Sequence, residues 1–321
     1  MHVTILGASG FIGRKVARRL AADGALAGCP LSSLTLFDVT LPDAPLASFP
    51  VHRHAGDVAE LTAFAEDTAV VFHLAAVVSS AAEADYDLGR RVNLDGVRAV
   101  IDACRKLPAP PRVVFTSSVA SFSGGQAAVL GDDARQTPAN SYGTQKAIGE
   151  MLLADASRRG FLDAVSLRLP TVIVRPGRPN RAASSFVSAI LREPLLGLSA
   201  DLPVADDFAL WVCSPRRAVE WLLHAAAMGT DAMGLDRSVN PPGLRTTVGD
   251  MLAALDAVRP GAAALVHRRP DPAVEAIVAG WPAAFRPERG LSLGFTPHES
   301  LADVVAAFIA DDLEDTRRER G

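Results

Sequence analysis

The chain has 321 residues, a formal charge of -4, 49% hydrophobic residues and 22 prolines. That composition suits a globular protein with apolar material for one large domain or two. The mild acidity gives no reason to expect nucleic acid or an anionic lipid surface as a partner, and no apolar run is long enough to cross a membrane, since the stretch 70–78 is short and carries His73.

Residues 2–6 read as a short buried strand, and 11–22 carry helical spacing with Ile12, Val16 and Leu20 on one face. Between them runs Gly7-Ala8-Ser9-Gly10-Phe11-Ile12-Gly13. Glycines between a strand and a helix allow a tight turn and close approach to a pyrophosphate, which the helix N-terminus then favours. Gly7, Ser9, Gly10, Phe11, Ile12 and Gly13 are therefore the expected phosphate cradle of a dinucleotide. With the phosphate loop starting at Gly7, no secretory leader signal is expected ahead of the first strand.

A second strand, 34–37, ends at Asp38. A carboxylate there can accept hydrogen bonds from an adenosine ribose. It would repel a 2′-phosphate ~4 Å away by about 4 kcal/mol at an effective dielectric of ~20. The expected cofactor is therefore NAD rather than NADP; a merely solvated strand-end aspartate is the plainer alternative. A third strand, 51–54, leads to Asp57 and Val58, and a fourth, 70–74, to Leu74-Ala75-Ala76. Asp57 is placed either to approach the adenine or to cap a turn. Leu74, Ala75 and Ala76 could line a cofactor with small side chains. His73 reads as a structural strand-end histidine rather than a base.

One long helix is expected over 83–107, carrying Asn93, which either holds backbone geometry near the site or simply packs. A fifth strand spans 112–116, a helix 140–159 and a sixth strand 164–169. Strands alternating with helices imply a doubly wound parallel sheet of Rossmann type, with ligands at the C-terminal edge of the strands. After Thr171 the alternation breaks. The reading is a dinucleotide-binding domain over 1–170, with roughly 208–245 partly returning to it, and a smaller, mostly helical substrate-binding cap over 171–321.

Tyr142 and Lys146 are four residues apart. On a helix they share a face, ~6 Å apart along the axis. A phenol of pKa about 10 is a poor base at neutral pH. A neighbouring ammonium and a positive nicotinamide ring favour the phenolate, and a fall of ~3 units corresponds to ~4 kcal/mol. Tyr142 then becomes a usable general base for an alcohol proton. Ser118, just past the fifth strand, can donate a hydrogen bond to the same oxygen. Isolated Tyr-x-x-x-Lys pairs are common on surfaces. What points to chemistry is the position after the fifth strand of a nucleotide fold, in a chain with 2 tyrosines.

These residues resemble the extended short-chain dehydrogenase/reductase family. The glycine triplet, Asp38, His73-Leu74-Ala75-Ala76, Asn93, Ser118, Tyr142/Lys146 and the late run Leu293-Gly294-Phe295-Thr296-Pro297 match its order and rough spacing. Phe122-Ser123-Gly124 departs from it, where many members have tyrosine-glycine. The stretches 77–85, 141–146 and 168–180 resemble the D-erythronate dehydrogenase group more narrowly. That resemblance implies NAD-dependent oxidation of the C2 hydroxyl of a four-carbon sugar acid, and a homodimer. The alternative is a nucleotide-sugar epimerase or dehydratase that keeps its NAD bound.

A small anionic substrate also agrees with the residues themselves. Arg175 and Arg178 follow the sixth strand, and a guanidinium fork suits a carboxylate. Arg192 is a further carboxylate candidate, although for each arginine a structural ion pair is an equal reading. Ser79, Ser80 and Thr171 could bind hydroxyls, as could Ser184 or Ser185. No metal site is expected, because Cys29, Cys104 and Cys213 lack paired or histidine-spaced partners. They read as buried thiols in a reducing cytoplasm. The basic stretch 317–320 reads as a solvated helix end.

Overall fold

The computed structural model describes residues 1–125, 128–177, 185–297 and 300–320. Contacts divide the chain into two units. The first comprises Met1–Ser121, Asn140–Leu169 and Val219–Asn240; the second comprises Phe122–Ala139, Pro170–Ala218 and Pro241–Gly321. The return to the first unit is thus narrower than the expected 208–245, and the second unit also takes 122–139.

In the first unit, seven strands form one parallel sheet: β1 (His2–Leu6), β2 (Ser33–Asp38), β3 (Val51–Ala55), β4 (Thr68–His73), β5 (Arg112–Ser118), β6 (Asp163–Leu169) and β7 (Ser238–Val239). Their spatial order is β7-β6-β5-β4-β1-β2-β3, and every pairing is parallel. The chain winds outward in both directions from β1, as in a Rossmann fold. Leu6, Phe37, His73 and Phe115 fall in one row across four strands. The residues that follow them therefore emerge along one edge.

Flanking helices include α1 (Phe11–Asp23), α2 (Gly96–Cys104) and α3 (Ser141–Arg158). Val97, Val100 and Cys104 of α2 and Leu153 and Ala156 of α3 pack with Leu6, Val71, Val113 and Phe115 of the sheet. Full burial of such a large side chain is worth roughly 1.5–3 kcal/mol, so both helices are fixed by their apolar faces.

The single helix expected over 83–107 is broken. Helices Ser79–Ala84 and Tyr86–Arg90 are followed by a π-helical turn, Arg91–Asp95, and then α2. Asp85 makes the first break by accepting a hydrogen bond from the Leu88 N–H at 2.9 Å. The wide turn carries Asn93, which is buried. Apolar periodicity does not report such a turn, because the flanking helical phase is nearly preserved.

The second unit contains helices Ser185–Leu195, Val248–Val258 and Leu301–Asp311 around a core that includes Ile190, Leu210, Met251 and Phe308. It is less purely helical than expected. Ala209–Cys213 pairs with Thr171–Val172 and Leu244–Thr247, and Ala200–Leu202 pairs with Val266–Arg268. Strands of two to five residues are too short to show a period in the sequence. Among the described residues no helix is long and apolar enough to cross a membrane.

Candidate active site

The loop between β1 and α1 is stitched to the neighbouring strand. The N–H groups of Gly7 and Ala8 both donate to the Phe37 carbonyl, at 2.9 and 3.2 Å. Gly7 has φ +87°, and a Cβ there would lie 2.6 Å from the Ala75 nitrogen, so the loop lies directly on the segment leaving β4. A Cβ on Gly10 would meet only the Gly7 carbonyl oxygen, at 3.2 Å, with open space otherwise. Gly10 also caps α1, which has no side-chain cap and no acidic residue in its first turn. That combination leaves the first-turn N–H groups of Phe11, Ile12 and Gly13 for an anion. The cradle fits a pyrophosphate.

Asp38, the last residue of β2, organises the rim of this cradle. Its carboxylate accepts from the Ser9 N–H at 2.8 Å and the Val39 N–H at 2.7 Å, while the Ser9 hydroxyl donates to the Thr40 carbonyl at 3.1 Å. A carboxylate oxygen can accept more than one bond, so capacity remains for a ribose. Asp57 accepts from the Ala59 N–H at 2.9 Å and pairs with Arg91 at 2.5 Å. It thus caps a turn at the C-terminal edge of the sheet. Val58 sits in the core beneath that turn, where a Cβ on Gly96 would lie 2.8 Å from it.

Asn93 grips the chain just beyond Leu74-Ala75-Ala76. Its Oδ1 accepts from the Val77 N–H at 2.9 Å, and its Nδ2 donates to the Val77 carbonyl at 2.9 Å and to Gln145 Oε1 at 2.7 Å. One buried amide thus ties the loop after β4 to α3. Ser79 and Ser80 open the short helix immediately after the gripped segment.

Asn140 caps α3, accepting from the Gly143 N–H at 2.7 Å, so Tyr142 falls in the first turn. Lys146 lies one turn further on and is 1% exposed. Its Nζ is 4.5 Å from the centre of the Phe115 ring and 5.6 Å from that of Tyr142. Both rings present π-faces that attract a cation. Burial pulls the Lys146 ammonium down to about 7, and the Glu150 carboxylate opposes the fall. His73 is buried with its ring 5.3 Å from Phe115, and among the described residues neither ring nitrogen has a hydrogen-bond partner. Burial, and then the Lys146 charge, push it down to about 3; a neutral imidazole of that kind is no base. At the end of β5, the Ser118 hydroxyl oxygen accepts from the Ala120 N–H at 3.1 Å, which leaves its proton to donate.

Sequence reasoning missed the group behind Lys146. Glu150, one turn beyond it, receives Arg168 Nε at 3.0 Å and Nη2 at 2.8 Å, and the Ser117 hydroxyl as well. All three residues are buried. The spacing 142, 146, 150 was a readable signal, since residues four apart share a helix face.

In the second unit, Thr171 lies in a strand beside Val212. The Arg175 N–H donates to the Ser188 hydroxyl at 3.1 Å and its Nε to the Val172 carbonyl at 3.1 Å. Arg178 and Ser184 lie outside the described residues. Arg192 makes the structural ion pair that is one of its two readings: it is 2% exposed, pairs with Glu193 at 2.8 Å and donates to the Arg175 carbonyl at 2.8 Å. Its guanidinium holds the turn that carries Arg175. The basic stretch is likewise not wholly solvated. Arg320 pairs with Glu193 and donates to the Gly177 carbonyl at 3.0 Å. Among the cysteines, Cys104 and Cys213 are buried but Cys29 is exposed in a hairpin.

A glycine cradle on a parallel sheet, with a tyrosine and a buried lysine one turn apart beyond the fifth strand, defines a dinucleotide-dependent oxidoreductase. The chain belongs to the NAD dependent epimerase/dehydratase family, whose pattern matches residues 3–210. It is an NAD-dependent enzyme of the extended short-chain dehydrogenase/reductase kind. It is 48% identical over 320 residues to a D-erythronate dehydrogenase of Cupriavidus necator, covering 97% of this chain and 98% of that one. To a D-erythronate dehydrogenase of Haemophilus influenzae it is 39% identical, covering 98% and 100%. A solved structure described as a nucleoside-diphosphate-sugar epimerase from Agrobacterium tumefaciens is 44% identical, with a TM-score of 0.92 over 98% of this chain and 95% of that one.

The buried His73 has a measurable consequence. With its native value lowered to about 3 against an ordinary 6.5, the unfolded chain takes up a proton below pH 6.5 that the folded chain refuses. Stability attributable to this group is therefore complete above pH 6.5 and is lost as pH falls towards 3. Between pH 6 and 4.5, His73→Leu should flatten the slope of unfolding free energy against pH by up to about one proton. Urea titrations at several pH values read that slope directly.

Proposed function

We propose that this protein oxidises the C2 hydroxyl of D-erythronate with NAD, yielding 2-oxo-tetronate. The observation that carries the reading is the Tyr142–Lys146 pair, with the lysine buried over Phe115, on the unit that also bears the pyrophosphate cradle. The names of the two D-erythronate dehydrogenases that span nearly the whole chain support the substrate.

In this reading Gly7, Ser9, Gly10, Phe11, Ile12 and Gly13 hold the pyrophosphate, and Asp38 takes the adenosine ribose. Asp57 and Val58 flank the adenine; Leu74, Ala75, Ala76 and Asn93 form the wall beside the nicotinamide half. NAD supplies the hydride acceptor. Ser118 donates a hydrogen bond to the C2 oxygen and Tyr142 removes its proton as the C2–H bond breaks. Lys146 holds the nicotinamide ribose, and its charge favours the ionised form of Tyr142. Ser79, Ser80, Thr171 and Ser184 bind substrate hydroxyls, and Arg175 or Arg178 takes the carboxylate. The enzyme works in the cytoplasm.

A second reading is favoured by the Agrobacterium structure, described as a nucleoside-diphosphate-sugar epimerase. An epimerase returns its hydride, so NADH does not accumulate. Mixing the protein with NAD and D-erythronate should give sustained NADH absorbance, and a panel of C4 to C6 aldonates should place D-erythronate first. Tyr142→Phe should bind NAD normally yet lose at least about a hundredfold in kcat. A phenylalanine variant with near-wild-type turnover defeats the assignment of the base.

Cofactor choice follows from Asp38. The wild-type protein should prefer NAD to NADP in kcat/KM by at least about a hundredfold, given a like-charge repulsion of about 4 kcal/mol. Asp38→Asn should narrow that ratio at least about tenfold, because the charge goes while an acceptor for Ser9 or Val39 remains.

A second copy of this chain is the proposed partner. Tyr86 and Leu88 of one short helix and Ile148 and Met151 of α3 are exposed large apolar side chains. Light scattering should give a dimer mass for the wild type and a monomer for Ile148→Asp/Met151→Asp; a wild-type monomer ends the proposal.

A further inference from the structure

The polar group behind Lys146 has no part in the reaction just described, yet it is buried, charged and tightly connected. Lys146 and Glu150 are one turn apart on α3, at 1% and 3% exposure. Glu150 is held from two further strands. Arg168 of β6 clasps its carboxylate through two nitrogens, and Ser117 of β5 donates to the other oxygen. A carboxylate so held cannot swing away from the helix face it shares with Lys146.

The groups around the Lys146 ammonium are both uncharged and charged. Tyr142 and Phe115 offer ring faces. His73 of β4 is neutral over the working range, since burial and the Lys146 charge hold it at about 3. Arg168 is a cation and is turned to Glu150. Glu150 is the anion whose charge reaches Lys146 and opposes the effect of burial. Without it, the ammonium would face desolvation with no anion to oppose it among the described residues.

We propose that Glu150 is a positioning residue for the acid–base pair: clamped by Arg168 and Ser117, its carboxylate keeps Lys146 charged and directed at Tyr142. The inference rests on the reading of Tyr142 and Lys146 as that pair. Glu150 does not touch substrate or cofactor; it acts through Lys146. The clamp also explains why an arginine is buried on β6, where an apolar side chain would pack at lower cost.

The chain carries only three lysines, Lys15, Lys106 and Lys146. Replacing Lys15 and Lys106 by arginine leaves a single lysine, whose side-chain 13Cε resonance can be titrated by NMR in the full-length protein without cofactor or turnover. Glu150→Gln should lower the Lys146 midpoint by at least about one pH unit, a tenfold loss of proton affinity. That variant also strands Arg168, which could unfold the chain or itself repel Lys146. Glu150→Gln/Arg168→Met removes both charges at similar volume and should still lower the midpoint, whereas Glu150→Asp should keep it close to wild type.

An unmoved midpoint in the folded double variant overturns the proposal, even if the single variant shifts, because the effect would then belong to the stranded arginine. The NMR titration does not depend on the reaction. A Tyr142→Phe variant that keeps its turnover would end the proposed chemistry, while an unmoved Lys146 midpoint would end only the role of Glu150.

Discussion

Lys146 brings a positive charge to a place that water scarcely reaches, and the polar architecture of the first unit is arranged around that placement. Removing an ammonium from solvent costs several kcal/mol even after relaxation. The faces of Phe115 and Tyr142 return part of it, at roughly 0.5–2 kcal/mol each. Glu150, held by Arg168 and Ser117, carries a charge that opposes the effect of burial. His73 meets the same field from the opposite chemical side and stays neutral. Stability alone would be better served by hydrocarbon at these positions. A charge kept at such expense is a mark of chemistry.

Much of this was legible in the sequence because parallel strands are short apolar runs closed by a polar residue. Asp38, His73 and Ser118 each mark a strand end, and sheet topology then carries those ends to one edge. The Tyr142–Lys146 spacing was equally open, since four residues make a helical turn. What lay hidden depended on partners distant in sequence. Glu150 draws its meaning from Arg168, eighteen positions later on another strand. Arg192 could be read as a ligand or as half of an ion pair, and its pairing with Glu193 and bond to the Arg175 carbonyl depend on the fold around it. Arg320 looked like a solvated tail until Glu193 and Gly177 accounted for it. The π-helical turn escaped for a different reason: it changes which way Asn93 faces while leaving the surrounding apolar rhythm nearly intact.

That turn joins two parts of the site that strand ends alone would leave independent. Asn93 holds Val77 by both backbone groups and Gln145 by its side chain. Gln145 directly precedes Lys146 on α3. The loop after β4 and the helix bearing Tyr142 and Lys146 are thus tied together by one amide. A buried amide with these bonds made is stiff, and one left unmatched would cost about 1–3 kcal/mol, so the arrangement has little room to drift.

The chain passes between its two units five times, at the boundaries after Ser121, Ala139, Leu169, Ala218 and Asn240. No single cut in the gene therefore separates them. Recombination that grafted a new second unit onto this nucleotide-binding framework would have to replace three stretches at once, each in register with the others. Variation in the second unit is accordingly expected to accumulate residue by residue within existing segments, rather than through exchange of whole modules.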